Sequence, residues 1–113
     1  MNLNLISLTE EYIDAFSNKD LKKVATFLTD DFVLEDPIVI RVEGKSKALG
    51  KIGELFTSCK TLSFTQKNIY GQNNMTIIEF ILKIDSQTLQ GVDILEWNGN
   101  KIKELRAYLH IPR

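Results

Sequence analysis

The sequence predicts an α+β fold in which three helices lie against one side of a curved β-sheet. Three observations carry that expectation. Apolar residues recur at helical spacing through two short segments near the N-terminus and through a third around Leu49. From Thr61 the period changes to two and holds to the end of the chain. Turn residues at Gly71-Gln72-Asn73-Asn74 and at Asn98-Gly99 divide that half into hairpins. Helices followed by a meander of antiparallel strands gather the helices on one face, and a curved sheet under such a lid encloses a pocket.

Size and charge narrow the function classes. With 113 residues, 43% hydrophobic and 26% charged, residues 1–113 fit one domain with a modest core. A net charge of -1 offers no basic footprint for nucleic acid and no cationic face for a membrane surface. Met1-Asn2-Leu3-Asn4-Leu5 lacks a basic leader, and no apolar run approaches the roughly 18–20 residues that span a bilayer. A soluble cytoplasmic protein is expected. Cys59 is the single cysteine, so it forms neither an internal disulfide nor a thiolate cluster and reads as a partly buried thiol near a helix end. No His or Cys cluster has metal-ligand spacing and no glycine-rich phosphate loop occurs, so no metal and no cofactor is expected.

The elements follow in order. Ser7-Leu8-Thr9-Glu10 matches a capping box, and Leu8, Tyr12, Ala15 and Phe16 continue as the apolar side of a first helix ending near Asn18. Asp20 is the expected N-cap of a second, with Leu21, Val24, Ala25 and Leu28 on its apolar side and Lys22 and Lys23 outward. Asp30 and Asp31 read as capping or solvating a helix end. Phe32, Leu34 and Asp36 then share one face of a short strand that stops at Pro37. Ile38 to Val42 is β-branched enough for a strand or extended arm before Gly44. Ser46 can cap a third helix with Leu49, Ile52 and Phe56 on one side, although Gly50 and Gly53 each cost it about 1 kcal/mol relative to Ala. Four strands complete the chain: Leu62 to Tyr70, Met75 to Ile84, Leu89 to Trp97 and Lys101 to His110, with Asn98-Gly99 as a type I′ hairpin.

The chemistry lies in misplaced acids. Asp36 shares a strand face with Phe32 and Leu34; Asp93 shares another with Leu89, Gly91, Leu95 and Trp97. An acid on an apolar face is paired, protonated or kept for reaction, because burial disfavours its charged form. Two such acids converging on a pocket suggest an acid and base pair. Tyr12, on the apolar side of the first helix, adds a phenol whose O–H needs a partner when buried. Taken singly, each of these side chains also reads as ordinary core.

These residues carry a family resemblance. Glu11 to Pro37, with Tyr12, Ala15, Asn18, Asp20, Leu21, Asp30, Asp31 and Glu35-Asp36-Pro37, resembles the first third of bacterial ketosteroid isomerases. Val92-Asp93, Asn98-Gly99, Lys101 and Arg106-Ala107 resemble their last two strands. The wider group is the cone-shaped nuclear transport factor 2-like superfamily of cystatin-like topology, which includes SnoaL-like polyketide cyclases and limonene-epoxide hydrolases. The resemblance implies a cone-shaped, antiparallel or mixed sheet with three helices on its concave side. It also implies Asp36 as a general base moving a proton between carbons beside a carbonyl, with Tyr12 and a protonated Asp93 as donors to the dienolate oxygen. Phe80 falls where the family often places a cavity wall. With Phe56, Leu95, Leu105 and Leu109 it forms the expected apolar lining for a small apolar carbonyl compound.

The departures define rival readings. Leu28 and Phe56 stand where some family members place further tyrosines, so Tyr12 would act with less support. Epoxide hydrolysis in this fold resembles an arrangement with arginine two residues before an acid, a place that Gly91 holds. Polyketide cyclase-like chemistry and a non-catalytic ligand-binding module stay open. His110 has no neighbours suggesting a triad. Arg106 faces away from Leu105, Ala107 and Leu109, and the resemblance implies a homodimer through the outer sheet face, with Ile102, Arg106 and Tyr108 as the expected patch.

Overall fold

Asn4 starts the first helix: its side-chain oxygen accepts the Ser7 backbone N–H at 3.0 Å, and α1 runs Leu5–Ser17. The computed structural model describes residues 4–37 and 40–110. Ser7 therefore lies inside the helix and the expected capping box is not its start, because an asparagine three residues earlier already satisfies the free N–H. Asp20 does cap α2 (Leu21–Thr26), accepting from the Lys23 N–H at 3.0 Å. The second helix ends before Leu28, which instead opens β1 (Leu28–Asp36) and is buried there. Asp30 and Asp31 lie within that strand, not at a helix end. The β1 pairing slips between Leu28 and Val33, and the irregular stretch leaves both acids exposed to water.

β2 (Ile40–Glu43) pairs antiparallel with β1, while Ile38 and Val39 of the expected arm lie outside the described residues. In α3 (Lys45–Ser58) the N-cap is Gly44 with no side-chain capping bond, so Ser46 sits one residue inside the helix. Ala48, Ile52 and Phe56 form its buried side. Cys59 follows as the buried C-cap residue. The remaining strands are β3 (Leu62–Gln72), β4 (Met75–Ile84), β5 (Gln87–Asn98) and β6 (Lys101–His110). They give one open mixed sheet in the order β2-β1-β6-β5-β4-β3, in which β1 and β6 alone are parallel neighbours.

Two local geometries differ from expectation. Asn98 pairs with Lys101, so the hairpin turns on Gly99 and Asn100, and of these only Gly99 has positive φ, at 64°. A type I′ turn needs positive φ at both central residues, so this is not one. Further along, Trp97 pairs with Ile102 but Glu96 pairs with Glu104, a bulge that inserts Lys103. The extra residue turns Ile102 to the concave side, where it is fully buried beside Leu28 and Trp97 rather than joining an outer patch. Beyond the bulge the alternation is as expected: Leu105 is buried, while Arg106 and Tyr108 face outward.

The helices cover the concave side. Tyr12, Ile13 and Ala15 of α1 and Ile52 and Phe56 of α3 join Phe32, Phe64, Ile78, Phe80, Leu95 and Trp97 of the sheet in one buried cluster. No described helix is long and apolar enough to cross a membrane.

Candidate active site

Strand register brings the two suspect acids onto one row. Asp93 of β5 lies opposite Ile78 on one side and Ala107 on the other. Glu35 of β1 pairs in parallel with Arg106, so one residue further Asp36 comes level with Ala107. Asp36 and Asp93 thus flank Ala107 on the concave face, about 10 Å apart at two strand spacings. The side chain that stands between the two carboxyls on this row is a single methyl, that of Ala107.

The environments of the two acids differ. Asp93 is 5% exposed, and burial first, then the Asp36 charge, pushes its carboxyl up to about 8. At neutral pH it is a carboxylic acid with a proton to donate. Asp36, at the end of β1, is half-buried and so has access to water. Tyr12 reaches the same place from α1 and is 3% exposed; burial first, then the Asp93 charge, holds its phenol well above the ordinary range. Among the described residues Tyr12 and Asp93 make no hydrogen bond with each other or with any other residue, so no described group uses either donor.

Aromatic rings wall off one side. Phe27 stands edge-on to Tyr12 at 6.1 Å, and Phe16 lies at 6.1 Å on the next turn of α1. Phe16 continues to Phe56 and Phe64, each at 5.1 Å, and Phe64 to Phe80 at 4.8 Å. Of the expected lining, Phe56, Phe80, Leu95 and Leu105 are buried on the concave side, and Leu109 is half-buried there. Phe80 also covers Gly91. A Cβ added at Gly91 would lie 2.9 Å from the Phe80 ring and 2.4 Å from the Tyr108 carbonyl oxygen, so no larger residue fits.

Two surface grooves lie elsewhere. One, of about 530 Å³, runs between β2 and α3 past Arg41, Lys47 and Lys51; the other, of about 300 Å³, follows α1 and α2 past Glu11, Asp14 and Lys23. Neither contains Tyr12, Asp36 or Asp93. Among the described residues no three His, Cys, Asp or Glu side chains converge as metal ligands would. His110 is exposed at the end of β6.

Sequence reasoning passed over a buried polar chain beside this site. Trp97 Nε1 donates to Thr76 Oγ1 at 2.9 Å, and Thr76 Oγ1 lies 2.9 Å from Thr9 Oγ1. The available signal was positional: Thr9 precedes Tyr12 by one helical turn, and Thr76 shares a strand face with Ile78 and Phe80. Ala107 was noted as one of three small or apolar residues on a face, but its place between the acids depends on β1 pairing with β6.

Comparison with known proteins agrees with this architecture. The SnoaL-like domain family matches residues 9–105. No curated protein matches the sequence. A SnoaL-like protein of unknown function from Burkholderia thailandensis E264 superposes with a TM-score of 0.87 at 14% identity, covering 98% of this chain and 100% of that one. A candidate ketosteroid isomerase from Kribbella flavida DSM 17836 gives 0.83 at 18% identity, covering 95% and 78%. An LEH-like epoxide hydrolase from M. tuberculosis gives 0.77 at 20% identity, covering 93% and 81%. At these identities the structural likeness is one of fold. Its three helices over an open six-stranded sheet are the nuclear transport factor 2-like architecture, and the chain belongs to the SnoaL-like domain family.

Proposed function

We propose that this chain is a ketosteroid isomerase-like catalyst that moves a proton between carbons adjacent to the carbonyl of a small apolar ketone. The observation that carries the reading is the neutral, buried Asp93 beside Tyr12, with the half-buried Asp36 across Ala107. The Asp36 carboxylate takes a proton from the carbon between the carbonyl and the double bond. The released C–H electron pair moves through the π system to the carbonyl oxygen and forms a dienolate. Tyr12 and protonated Asp93 donate hydrogen bonds to that oxygen as charge grows on it. Asp36 then returns the proton to the γ-carbon, so the product is the conjugated enone and the protein is unchanged. Buried donors favour this step because they need no reorganisation in a dry site.

Gly91 counts against epoxide hydrolysis. The arginine that the resemblance places two residues before the acid has no room there, since even a Cβ meets backbone. A second reading is a module that holds a small ligand without turnover, for which the buried Tyr12 and Asp93 supply the polar contacts. A homodimer through the outer sheet face accompanies either reading; it is supported by Tyr108, 54% exposed among half-buried Val92, Ile94 and Arg106. Sedimentation of the purified protein measures that assembly.

The test is a β,γ-unsaturated ketosteroid mixed with purified protein, with the conjugated enone followed by ultraviolet absorbance. A rate above buffer that collapses in Asp36→Asn supports catalysis. No rate above buffer, or an equal rate in Asp36→Asn, sinks it. A phenolic steroid mimic that binds wild type and loses affinity in Asp93→Leu supports the binding module when turnover is absent.

A further inference from the structure

Helix α1 carries Tyr12, and only two hydrogen bonds join that helix to the sheet among the described residues. Near its start, Thr9 Oγ1 meets Thr76 Oγ1 of β4 at 2.9 Å; at its end, Ser17 Oγ accepts the Phe64 N–H of β3 at 3.0 Å. Tyr12 lies between these two points, about 4.5 Å along the axis from Thr9. A helix held at one point can still rotate and slide over an apolar surface, because dispersion contacts are weakly directional. Two hydrogen bonds that flank a residue fix its height and azimuth.

The Thr9 contact is the more elaborate. Thr9 Oγ1 lies 2.6 Å from the Leu5 carbonyl, which can only accept, so the single Thr9 proton goes there. Thr76 then donates to Thr9, and the Thr76 oxygen accepts from Trp97 Nε1 at 2.9 Å. One directed chain thus crosses from β5 through β4 to α1. Thr9 and Thr76 are fully buried and Trp97 nearly so, which raises the cost of leaving any member unpaired. Its position in the register is specific. Thr76 lies opposite Leu95, one inward-facing pair away from Ile78 and Asp93. The chain therefore anchors the helix one turn before Tyr12 to the strands one inward pair away from Asp93.

We propose that Thr9, Thr76 and Trp97 are positioning residues that hold the Tyr12 hydroxyl over the Asp93 carboxyl. The catalytic meaning rests on the donor reading above, but the geometry can be tested without turnover. Apolar side chains at 9 and 76 would fill the same volume, yet would leave α1 free to shift against β4. A buried pair of threonines is costly to keep dry unless fully bonded, and here each hydroxyl is used.

The experiment is carbon-13 NMR of labelled Tyr12 and Asp93 during a pH titration. In wild type the Tyr12 ring carbon bearing oxygen should inflect at the Asp93 midpoint. In Thr76→Val that inflection should shrink at least about twofold while Thr76→Ser retains it, and affinity for a phenolic steroid mimic should drop about tenfold in the valine variant alone. Should Thr76→Val fail to fold, Thr9→Val against Thr9→Ser makes the same comparison. A full-sized inflection in a folded valine variant, or equal loss in the serine variant, overturns the positioning role. If wild-type Asp93 titrates as an ordinary carboxyl, the donor reading fails instead, and an inflection that still separates valine from serine leaves the positioning role standing.

Discussion

The two faces of the β5–β6 ribbon treat charge in opposite ways. On the outer face the Arg106 guanidinium sits between Glu96 and Glu104, and the hydrogen bonds it donates to both, Glu96 first, raise its pKa above the ordinary arginine value. Its side chain is 22% exposed, so water and opposite charge share the solvation. On the concave face one residue away, Asp93 has little water and, among the described residues, no cation beside it, with a second acid near enough to oppose its ionisation. A paired charge on an open face is explained by structure alone. A buried acid without a neighbouring cation is kept at a cost in stability, and that cost is what the proposed donor role of Asp93 would account for.

The largest test of this contrast is Asp93→Asn. The unfolded carboxyl titrates near about 4 and the folded one at about 8, so folding takes up a proton between those values. Wild-type stability should therefore fall as pH rises from about 4 to about 8 and level off above, by several kcal/mol at ~1.4 kcal/mol per unit. The asparagine variant should lack that slope and exceed wild type at high pH in urea denaturation; parallel curves would mean Asp93 is solvated. Next, Gly91→Ala should cost about 3 kcal/mol, because the new Cβ meets the Tyr108 carbonyl oxygen at 2.4 Å. A loss below about 1 kcal/mol in the same assay would show that the strands yield and that the concave face is less tightly filled.

Arg106→Met should cost on the order of 1 kcal/mol, mostly from Glu96 facing Glu104 unpaired, and added salt should narrow the gap. A salt-independent gap would assign the loss to packing of the arginine stem. Smallest is Tyr70→Phe. The Tyr70 hydroxyl donates to Glu79 at 2.8 Å and, ahead of Asn68, holds the Glu79 carboxyl below its ordinary value. The variant's carboxyl should move back up in an NMR titration, and an unmoved midpoint would mean that this exposed bond is not kept in water.

Much of the fold was legible because side-chain period maps directly onto burial. Alternation in residues 89–97 put Asp93 inward, and helical spacing put Tyr12 on the buried side of α1. The misreadings were local competitions. Asn4 and Ser7 can both cap a helix, and only the folded chain selects Asn4. Asp30 and Asp31 look like helix-end residues until the irregular β1 pairing makes them strand residues. Ile102 obeys period two on paper, but one inserted residue at Lys103 reverses its face.

By itself the sequence determined the order of elements and the inward direction of Tyr12, Asp36 and Asp93. Those follow from local periodicity and residue identity. Tertiary structure decided which inward residues meet. Parallel pairing of β1 with β6 sets Asp36 level with Ala107 across from Asp93, and the Thr9–Thr76–Trp97 chain ties the helix bearing Tyr12 to the neighbouring strands. Contacts between residues tens of positions apart depend on register and on directed hydrogen bonds, neither of which any local pattern specifies.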